Sequence, residues 1–267
     1  MKKREQNAAT DFEARYAAIY GERWPSLRAA LESDETDYET VSYPSCAPYA
    51  LNSASADGAR LLNAAEGDTV LDLCAAPGGK TVILAGALNG CGRLVANDLS
   101  MERRRRLKTV IKTVLPPEIA QTVTVTGREA ALIGRSEPEC YDRVLADVPC
   151  SAEAHLLRRP QELERWSPAR VKSLALRQFA ILVSGLDALK IGGELLYSTC
   201  SIAPEENDGV IAKLLKKRPH AVELIPFASP GEATEFGRIV LPDTERGRGP
   251  LYLCKLRKTA SSQKPRQ

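Results

Sequence analysis

Cys150 and Cys200 stand where a thiol could take part in chemistry, because each follows a short apolar stretch and opens a loop. A thiol in such a loop can lose its proton under the influence of helix N-termini and nearby cations, and the thiolate is the form that attacks. Asp147 lies just before Cys150 and adds a carboxylate that could bond the edge of a base, hold a metal or only cap a helix. These residue types indicate nucleophilic catalysis, although a cysteine at any single position is more often a buried small hydrophobe.

A glycine-containing loop, residues 74–80, precedes these residues and is called the glycine loop below. The apolar run 70–73 leads into it and the apolar run 82–85 follows, which predicts a buried strand, a loop and a helix N-terminus in series. Glycine lets the backbone approach a ligand closely, and a helix start favours an anionic or strongly polar group. Asp98 lies about 20 residues beyond Gly78, a spacing that suits ribose hydroxyls but also a helix cap. The loop predicts a nucleotide-like ligand.

The elements that must position these residues alternate between strand and helix. Predicted strands lie at residues 70–73, 94–96, 123–126, 143–146 and 193–198, with shorter ones at 222–226 and 251–254. Predicted helices cover residues 7–32, 54–62, 101–114, 167–190 and 204–217. The alternation predicts an α/β fold with a doubly wound, mostly parallel sheet and an antiparallel edge strand. Because the carboxyl ends of parallel strands converge on one crevice, the glycine loop, Asp98, Asp147 and both cysteines should meet there.

The chain divides into three predicted regions. Residues 1–48 form an N-terminal helical extension and a linker, residues 49–257 form the main domain, and residues 258–267 form a basic, disordered tail. Hydrophobic residues make up 43% of the 267 residues, which is enough for a sizeable core.

Charge and cysteine usage limit the classes of function. The net charge of +3, from 37 basic and 34 acidic residues, is too balanced to establish a nucleic-acid partner, so any basic surface must be local. The seven cysteines form no Cys-x-x-Cys pair and there are two histidines, so we expect no metal site and reduced thiols. No run of transmembrane length and no signal peptide is predicted, so we expect no membrane contact and a cytoplasmic protein, or a mitochondrial one in a eukaryote.

Four segments together resemble the successive motifs of the Sun/Nol-type (RsmB/NOP/Sun) RNA (cytosine-5) methyltransferases. They are residues 71–81, 97–100, 142–151 and 197–201, and residues 157–160, 165–168 and 249–256 resemble further parts of the same family. The resemblance spans about residues 68–257, in the order that the family has. His155 and the short length are similar to the small single-domain branch that includes mitochondrial ribosomal-RNA enzymes. The resemblance implies a Rossmann-like methyltransferase sheet and S-adenosylmethionine (SAM) as cofactor.

The resemblance also implies roles for individual residues. Cys200 would be the nucleophile, Cys150 would assist the release of product, and Asp147 would lie between the cofactor and the target base. The residues implied at the cofactor are Cys74, Ala75, Ala76, Pro77, Gly78, Gly79, Lys80, Asp98, Arg103, Gly127 and Asp147. The family usually has an aspartate before the glycine at the tip of the third strand, where it contacts adenine, but this chain has Thr126 before Gly127.

The implied function is formation of 5-methylcytosine in RNA through a covalent cysteine–cytosine intermediate, on ribosomal RNA or, as a second choice, transfer RNA. The protein would be a monomer, and a partner protein could supply targeting because no RNA-binding module flanks the core.

Two alternatives stay open. One is a non-catalytic RNA-binding assembly factor on the same fold, which Thr126 favours. The other is a P-loop NTPase, because residues 74–81 nearly match its phosphate loop, with Cys74 in place of the first glycine.

Overall fold

The computed structural model describes residues 2–164 and 166–261. It begins with helices α1 (Lys2–Tyr20) and α2 (Trp24–Glu32), joined by a 3₁₀ turn at Gly21–Arg23. Phe12 of α1 contacts Trp166 of the main domain with ring centroids 5.1 Å apart, and Tyr16 stacks on Trp24 at 5.4 Å. The predicted helical segment 7–32 is therefore a pair of helices that an aromatic cluster fixes to the main domain.

A small antiparallel hairpin follows, where the sequence predicts a linker. Its strands are β1 (Tyr38–Val41) and β2 (Tyr49–Asn52), and helix α3 (Ser53–Leu61) comes directly after them. Leu51 packs with Ile83 in a buried cluster, and Asn52 caps α3 by accepting a hydrogen bond from Ala54 N at 3.0 Å. The linker prediction for residues 33–48 is wrong, because the hairpin crosses the predicted boundary after residue 48 and packs on the main domain.

Five parallel strands form the centre of the main sheet. In chain order the elements are β3 (Thr69–Asp72), α4 (Gly79–Leu88), β4 (Arg93–Asn97), α5 (Met101–Val114), α6 (Pro117–Ala120), β5 (Val123–Thr126), a 3₁₀ turn (Ala130–Leu132), α7 (Ile133–Ser136), β6 (Tyr141–Asp147), α8 (Glu153–Leu157), α9 (Pro160–Leu163), α10 (Pro168–Ala188) and β7 (Leu189–Thr199). Their order across the sheet is β5-β4-β3-β6-β7. The chain runs from the centre to one edge and then returns to the other side of β3. The switch in direction lies between β3 and β6, which is where such sheets bind ligands.

An antiparallel group extends the sheet beyond β7. Its elements are α11 (Asp208–Lys217), β8 (Val222–Leu224), β9 (Glu232–Ala233), β10 (Arg238–Val240) and β11 (Leu251–Lys258). Strand β11 lies next to β7 and is antiparallel to it. Strands β10 and β9 follow β11 in the sheet, and β8 pairs with residues 256–258 at the C-terminal end of β11. The predicted doubly wound, mostly parallel sheet is confirmed. The single antiparallel edge strand is corrected to a group of strands, because β9 and β10 are too short to give a periodic signal in the sequence.

The disordered tail predicted from residue 258 begins too early. Lys258 is the last residue of β11 and is only 1% exposed. Its Nζ donates to the carbonyl oxygen of Leu189 at 2.8 Å and lies 3.3 Å from a carboxylate oxygen of Glu139. These contacts compensate for burying the ammonium group. The basic composition of the segment predicts instead that this group is exposed to solvent. Residues 262–267, the rest of the predicted tail, lie outside the described residues.

Successive residues of the central strands point into two different hydrophobic clusters. Val144 and Leu195 belong to the cluster that contains Leu182 of α10. Their neighbours Leu145 and Leu196 belong to the cluster on the other face, which contains side chains of α4 and α5. Apolar residues on both faces are typical of a parallel sheet that helices cover on both sides. The strand tips therefore rest on a rigid scaffold.

Within the ranges that the structure describes, no helix has the length and apolar character needed to cross a membrane. The same ranges contain no group of three or more His, Cys, Asp or Glu side chains placed to hold a metal ion.

Candidate active site

The glycine loop connects the end of β3 to the start of α4, as predicted. Gly78 has a φ of +122°, and a Cβ at this position would lie 3.1 Å from side-chain carbons of Leu107 and Val110. Only glycine fits here without backbone strain or displacement of α5. The loop therefore packs directly on α5, and this contact fixes one wall of the crevice.

Asp72 ends β3 and is buried beneath the loop, with 1% of its surface exposed. Thr81 Oγ1 donates to Asp72 Oδ2 at 2.8 Å, whereas Oδ1 has no hydrogen-bond partner among the described residues. Burial raises the pKa of Asp72 to about 7. A buried carboxyl oxygen without a partner is unfavourable and rare in native proteins, so this oxygen is a candidate contact for a donor group on a ligand.

The larger of two cavities at the strand tips has a volume of about 330 Å³. Asp98 lines it and is 3% exposed. Ser100 N donates to Asp98 Oδ1 at 2.9 Å, while Oδ2 lies 3.3 Å from Arg103 Nη1 without forming a hydrogen bond. Arg103 also donates to the carbonyl oxygen of Ala76. Ser100 is the N-cap of α5, so Oδ1 of Asp98 supports the cap by holding Ser100, and Oδ2 is left for a ligand.

A smaller cavity of about 130 Å³ shares Cys74 with the larger one and contains Lys80 and Asp147. Lys80 Nζ lies 2.8 Å from Asp147 Oδ2, and Ser198 Oγ donates to Asp147 Oδ1 at 2.7 Å. Burial alone would lower the pKa of Lys80, but the charge of Asp147, the hydrogen bond to Asp147 and the neighbouring Cys200 sulfur raise it overall. Lys80 is therefore a cation at neutral pH, and both oxygens of Asp147 are held in place.

Cys150 and Cys200 lie side by side at the tips of β6 and β7. Their Sγ atoms are 2.9 Å apart, and both thiols are free. Cys200 is exposed and Cys150 is partly buried. The hydrogen bond to Cys200, followed by burial, raises the pKa of Cys150 well above that of an ordinary thiol. The pair therefore combines an accessible sulfur with a neighbouring thiol that stays protonated at neutral pH.

The structure brings most of the predicted cofactor residues together. The larger cavity is lined by Cys74, Asp98 and Arg103, and the smaller by Cys74, Ala75, Ala76, Pro77, Gly79, Lys80 and Asp147. Gly78 packs on α5 and lines neither cavity. Gly127 also lines neither, because the Arg104 guanidinium covers it, 2.5 Å from where a Cβ would stand. A cofactor contact at Gly127 stays a prediction.

Thr126, which replaces the aspartate expected from the family pattern, is used inside the fold. Its Oγ1 donates to Asn97 Oδ1 at 2.9 Å, and Arg128 N donates to the same oxygen at 2.8 Å. The Asn97 amide in turn donates to the carbonyl oxygen of Leu73 at 3.1 Å. Thr126 therefore helps to join the tips of β3, β4 and β5.

Several residues of the cavities were not predicted from the sequence. Tyr49 of β2 and Ser55 of α3 line the smaller cavity, and Ser55 Oγ lies 3.4 Å from Lys80 Nζ. Glu129 and Arg177 line the larger one. These residues belong to no motif, and only the tertiary fold brings them to the crevice. Ser198, which donates to Asp147, could have been predicted from the sequence as a site residue, because it lies within the motif segment 197–201.

The basic run on α5 is partly used inside the protein. Arg103 lines the larger cavity, Arg104 donates to the carbonyl oxygens of residues 98 and 99 at 2.7 Å, and Arg106 forms an ion pair with Glu102 at 2.7 Å. Arg105 and Lys108 are exposed and remain candidates for phosphate contacts.

Comparison with known sequences adds to this geometry. Residues 59–257 match the family described as 16S rRNA methyltransferase RsmB/F. The 5-cytosine rRNA methyltransferase NSUN4 of Xenopus tropicalis is 36% identical over 226 residues, which cover 78% of this chain and 55% of the relative. The mitochondrial tRNA (cytosine(34)-C(5))-methyltransferase of Danio rerio is 34% identical over 224 residues, which cover 79% and 60%. The chain thus spans little more than half the length of these curated relatives.

Solved structures agree with the fold. The crystal structure of NSun6 from Pyrococcus horikoshii with SFG has a TM-score of 0.68 and 29% identity, covering 81% of this chain and 54% of that one. A methyltransferase homolog protein from the same organism has a TM-score of 0.74 and 24% identity, covering 92% and 93%. The family match includes the glycine loop, Asp98, the Lys80–Asp147 pair and both cysteines at the strand tips. The chain therefore belongs to the RsmB/F family of 16S rRNA methyltransferases.

Proposed function

We propose that this protein methylates carbon 5 of cytosine in RNA, with SAM as methyl donor and Cys200 as covalent nucleophile. The observation that carries the proposal is the pair of free sulfurs, Cys150 and Cys200, 2.9 Å apart beside the Lys80–Asp147 pair. Family membership supports the activity, because the relatives are named as 5-cytosine methyltransferases of ribosomal or transfer RNA.

The crevice suits SAM in size and in polar groups. A volume of about 330 Å³ is in the range of small-molecule sites, and Leu73 and Ile181 give it apolar walls. Asp98 Oδ2 can accept hydrogen bonds from ribose hydroxyls, and Asp72 Oδ1 can accept one from an ammonium group. NSun6 was crystallised with SFG, a SAM analogue, which supports SAM as the ligand. When bound, SAM would supply an electrophilic methyl group.

Carbon 5 of cytosine is a poor nucleophile until a group adds to the ring. The Cys200 thiolate would attack carbon 6, so that a sulfur–carbon bond forms and the electrons of the carbon 5–carbon 6 double bond become available at carbon 5. Lys80 offers an N–H donor and Asp147 a carboxylate acceptor to the polar edge of the base. A donor beside an acceptor matches the carbonyl oxygen or ring nitrogen of cytosine, which accept, and its exocyclic amino group, which donates.

Release of product reverses the addition. Once carbon 5 has taken the methyl group, a base removes its remaining proton, the double bond re-forms and the Cys200–carbon 6 bond breaks. Cys150 is a protonated thiol within 2.9 Å of the Cys200 sulfur, so it can give a proton to the departing sulfur. Loss of Cys150 should therefore slow release more than attack.

Ribosomal RNA is the proposed substrate, since the family and NSUN4 are named for it, and transfer RNA is the second candidate. The target base must leave any stacked helix, which costs a few kcal/mol, so a loop of structured RNA is favoured. Bisulfite sequencing of RNA from cells with and without the gene would identify the cytosine.

Two variants test the proposal. Cys200→Ala should abolish methyl transfer to small-subunit ribosomal RNA, and Cys150→Ala should accumulate a covalent RNA–protein adduct that migrates as a shifted band on a denaturing gel. Cys91→Ala removes an exposed cysteine away from the site and should behave as wild type. Methyl transfer that survives Cys200→Ala would refute the assignment of the nucleophile. Tight RNA binding with no methyl transfer to any RNA would favour a non-catalytic assembly factor.

A further inference from the structure

A buried network of hydroxyl and carboxyl groups lies directly behind the two sulfurs. Its centre consists of Ser151 and Ser201, each the residue after one of the cysteines, together with Glu153 and Glu206. All four side chains are nearly or fully buried, and both glutamates are 0% exposed. In the part of the chain that the structure describes, no lysine or arginine forms an ion pair with either glutamate. Hydrogen bonds alone must satisfy both carboxyl groups.

The number of protons limits which hydrogen bonds can form at the same time in this network. Ser151 Oγ is within hydrogen-bond distance of Glu153 Oε1 and of Glu206 Oε1, and lies 3.1 Å from Ser201 Oγ. A serine hydroxyl has one proton and can donate it to one carboxylate only, and an ionised carboxylate can only accept. Ser151 can therefore bond both glutamates only if one of them is protonated and donates to Ser151 Oγ.

Donors surround the carboxylate of Glu153. Tyr16 donates to its Oε1 at 2.6 Å, Ser201 Oγ lies 3.2 Å from the same oxygen, and Ile202 N donates to its Oε2 at 3.1 Å. With Ser151, this makes four donors around one carboxylate, an arrangement that favours the charged form. Burial, followed by the charge of Glu153, raises the pKa of Tyr16, so this hydroxyl keeps its proton.

Glu206 is the protonated member. Its Oε2 accepts hydrogen bonds from Ser151 N at 3.0 Å and from Gln178 Nε2 at 2.6 Å. Among the described residues, its Oε1 forms a hydrogen bond with Ser151 Oγ alone, so the proton fits between these two atoms. Burial, followed by the charge of Glu153, raises the pKa of Glu206 to about 7.

We propose that Glu206, as the proton donor, Ser151 and Glu153 form a chain of hydrogen bonds that holds the loops after Cys150 and Cys200 in register, and so positions the two sulfurs. Glu153 and Glu206 are positioning residues, because they act through the serines that follow the cysteines. The inference rests on the proposed function, which gives the sulfur pair its role. It also explains why α1 supplies Tyr16 to a network at the strand tips.

The network should give the chemistry a dependence on pH. The groups that face Glu206 are Glu153, Ser151, Gln178 of α10 and Tyr197 of β7, with Cys150 close by, and none of them is a cation. Loss of the Glu206 proton leaves two carboxylates on one hydroxyl, and their repulsion separates the loops. The rate of attack should therefore fall as the pH rises through about 7, although ionisation of the nucleophile alone would increase it.

Two isosteric substitutions with opposite expected results test the proposal. Glu206→Gln keeps an acceptor for Ser151 N and Gln178 and places an amide N–H where the carboxyl proton stands, so it should retain most of the activity and lose the decline above pH 7. Glu153→Gln places an amide nitrogen among four donors. It should slow attack by about 10- to 100-fold, as expected when a reacting group moves by about 1 Å.

The measurement is the single-turnover rate of covalent adduct formation with SAM and RNA that contains 5-fluorocytidine, at pH 6 and pH 8.5, together with SAM affinity and melting temperature. Affinity for SAM should stay within about twofold in both variants, because neither glutamate lines the two cavities at the strand tips. A wild-type rate in Glu153→Gln would overturn the inference, as would an unchanged pH decline in Glu206→Gln. Wild-type protein that forms no adduct would contradict the proposed function instead.

Tyr16→Phe covers the case in which Glu153→Gln does not fold. It removes one donor to Glu153 and keeps the ring within the aromatic cluster. We expect adduct formation to slow by about tenfold, as for the loss of one hydrogen bond to a charged group, with an unchanged affinity for SAM. An unchanged rate would contradict a positioning role for the network.

Discussion

At the scale of single residues, Asp98 shows how one carboxylate can serve both the fold and a ligand. Its Oδ1 accepts from Ser100 N, the N-cap of α5, whereas its Oδ2 forms no hydrogen bond with any residue that the structure describes, and Asp98 lines the larger cavity. A sequence motif cannot separate a helix cap from a ribose contact. The geometry assigns one role to each oxygen.

We expect Asp98→Ala to weaken SAM binding by about 1–3 kcal/mol, the usual loss for hydrogen bonds to a charged group. Isothermal titration calorimetry measures this directly. Glu102→Ala is the matched control, because it removes an exposed carboxylate from the first turn of the same helix. If Asp98→Ala binds SAM as tightly as wild type, Asp98 is a helix cap only.

At the scale of elements, the contact between the glycine loop and α5 can be separated from backbone strain. Gly78 and Gly192 both have a positive φ, but a Cβ at Gly192 would meet no atom within 4 Å, whereas one at Gly78 would lie 3.1 Å from two side chains of α5. The free energy of unfolding of Gly192→Ala should therefore fall by about 1–2 kcal/mol, from backbone strain alone. The free energy of unfolding of Gly78→Ala should fall by about 1–3 kcal/mol more, because its methyl group must push the side chains of Leu107 and Val110 aside by a few tenths of an ångström.

Denaturant unfolding of both variants measures this difference in the free energy of unfolding. Gly78→Ala should also weaken SAM binding, because the loop shifts with the helix, whereas Gly192→Ala should not. Equal losses of stability in the two variants would show that α5 moves aside freely and that the loop is not fixed by it.

The sequence predicts the strand tips well and the hairpin poorly, for a physical reason. Parallel strands end at one edge of a sheet, so motifs that follow apolar runs are bound to meet, as Cys150 and Cys200 do. Strands β1 and β2 have four residues each and no strong alternation. Their stability comes from packing Leu51 and its neighbours on α4, which only the tertiary structure shows.

At the scale of the whole molecule, the buried acids should set how stability depends on pH. Burial raises the pKa of Asp72 and of Glu206 to about 7. A carboxyl whose pKa is higher in the folded state stabilises the fold fully below its unfolded pKa, and this stabilisation is lost as the pH rises through the folded pKa. The free energy of unfolding should therefore fall up to about pH 7, from about pH 4 for Asp72 and about pH 4.5 for Glu206, by on the order of 4 and 3 kcal/mol.

Glu206→Gln should remove its part of this slope, and urea unfolding at pH 5, 6 and 7 measures it. Glu102→Gln, on the exposed face of α5, should leave the slope unchanged. A wild-type slope in Glu206→Gln would mean that Glu206 is ionised throughout this range. The network around Glu206 could not be predicted from the sequence, because it joins residues from α1, α8, α10 and the loop before α11.

The close approach of the two sulfurs also has a consequence for handling the protein. A disulfide needs a sulfur–sulfur distance of about 2.0 Å, so the thiols of Cys150 and Cys200, at 2.9 Å, would need to move by less than 1 Å for peroxide or air to join them. Preparations kept without a reducing agent should lose activity. Their mass, measured by mass spectrometry, should fall by that of two hydrogen atoms as the disulfide forms, and dithiothreitol should restore both the mass and the activity.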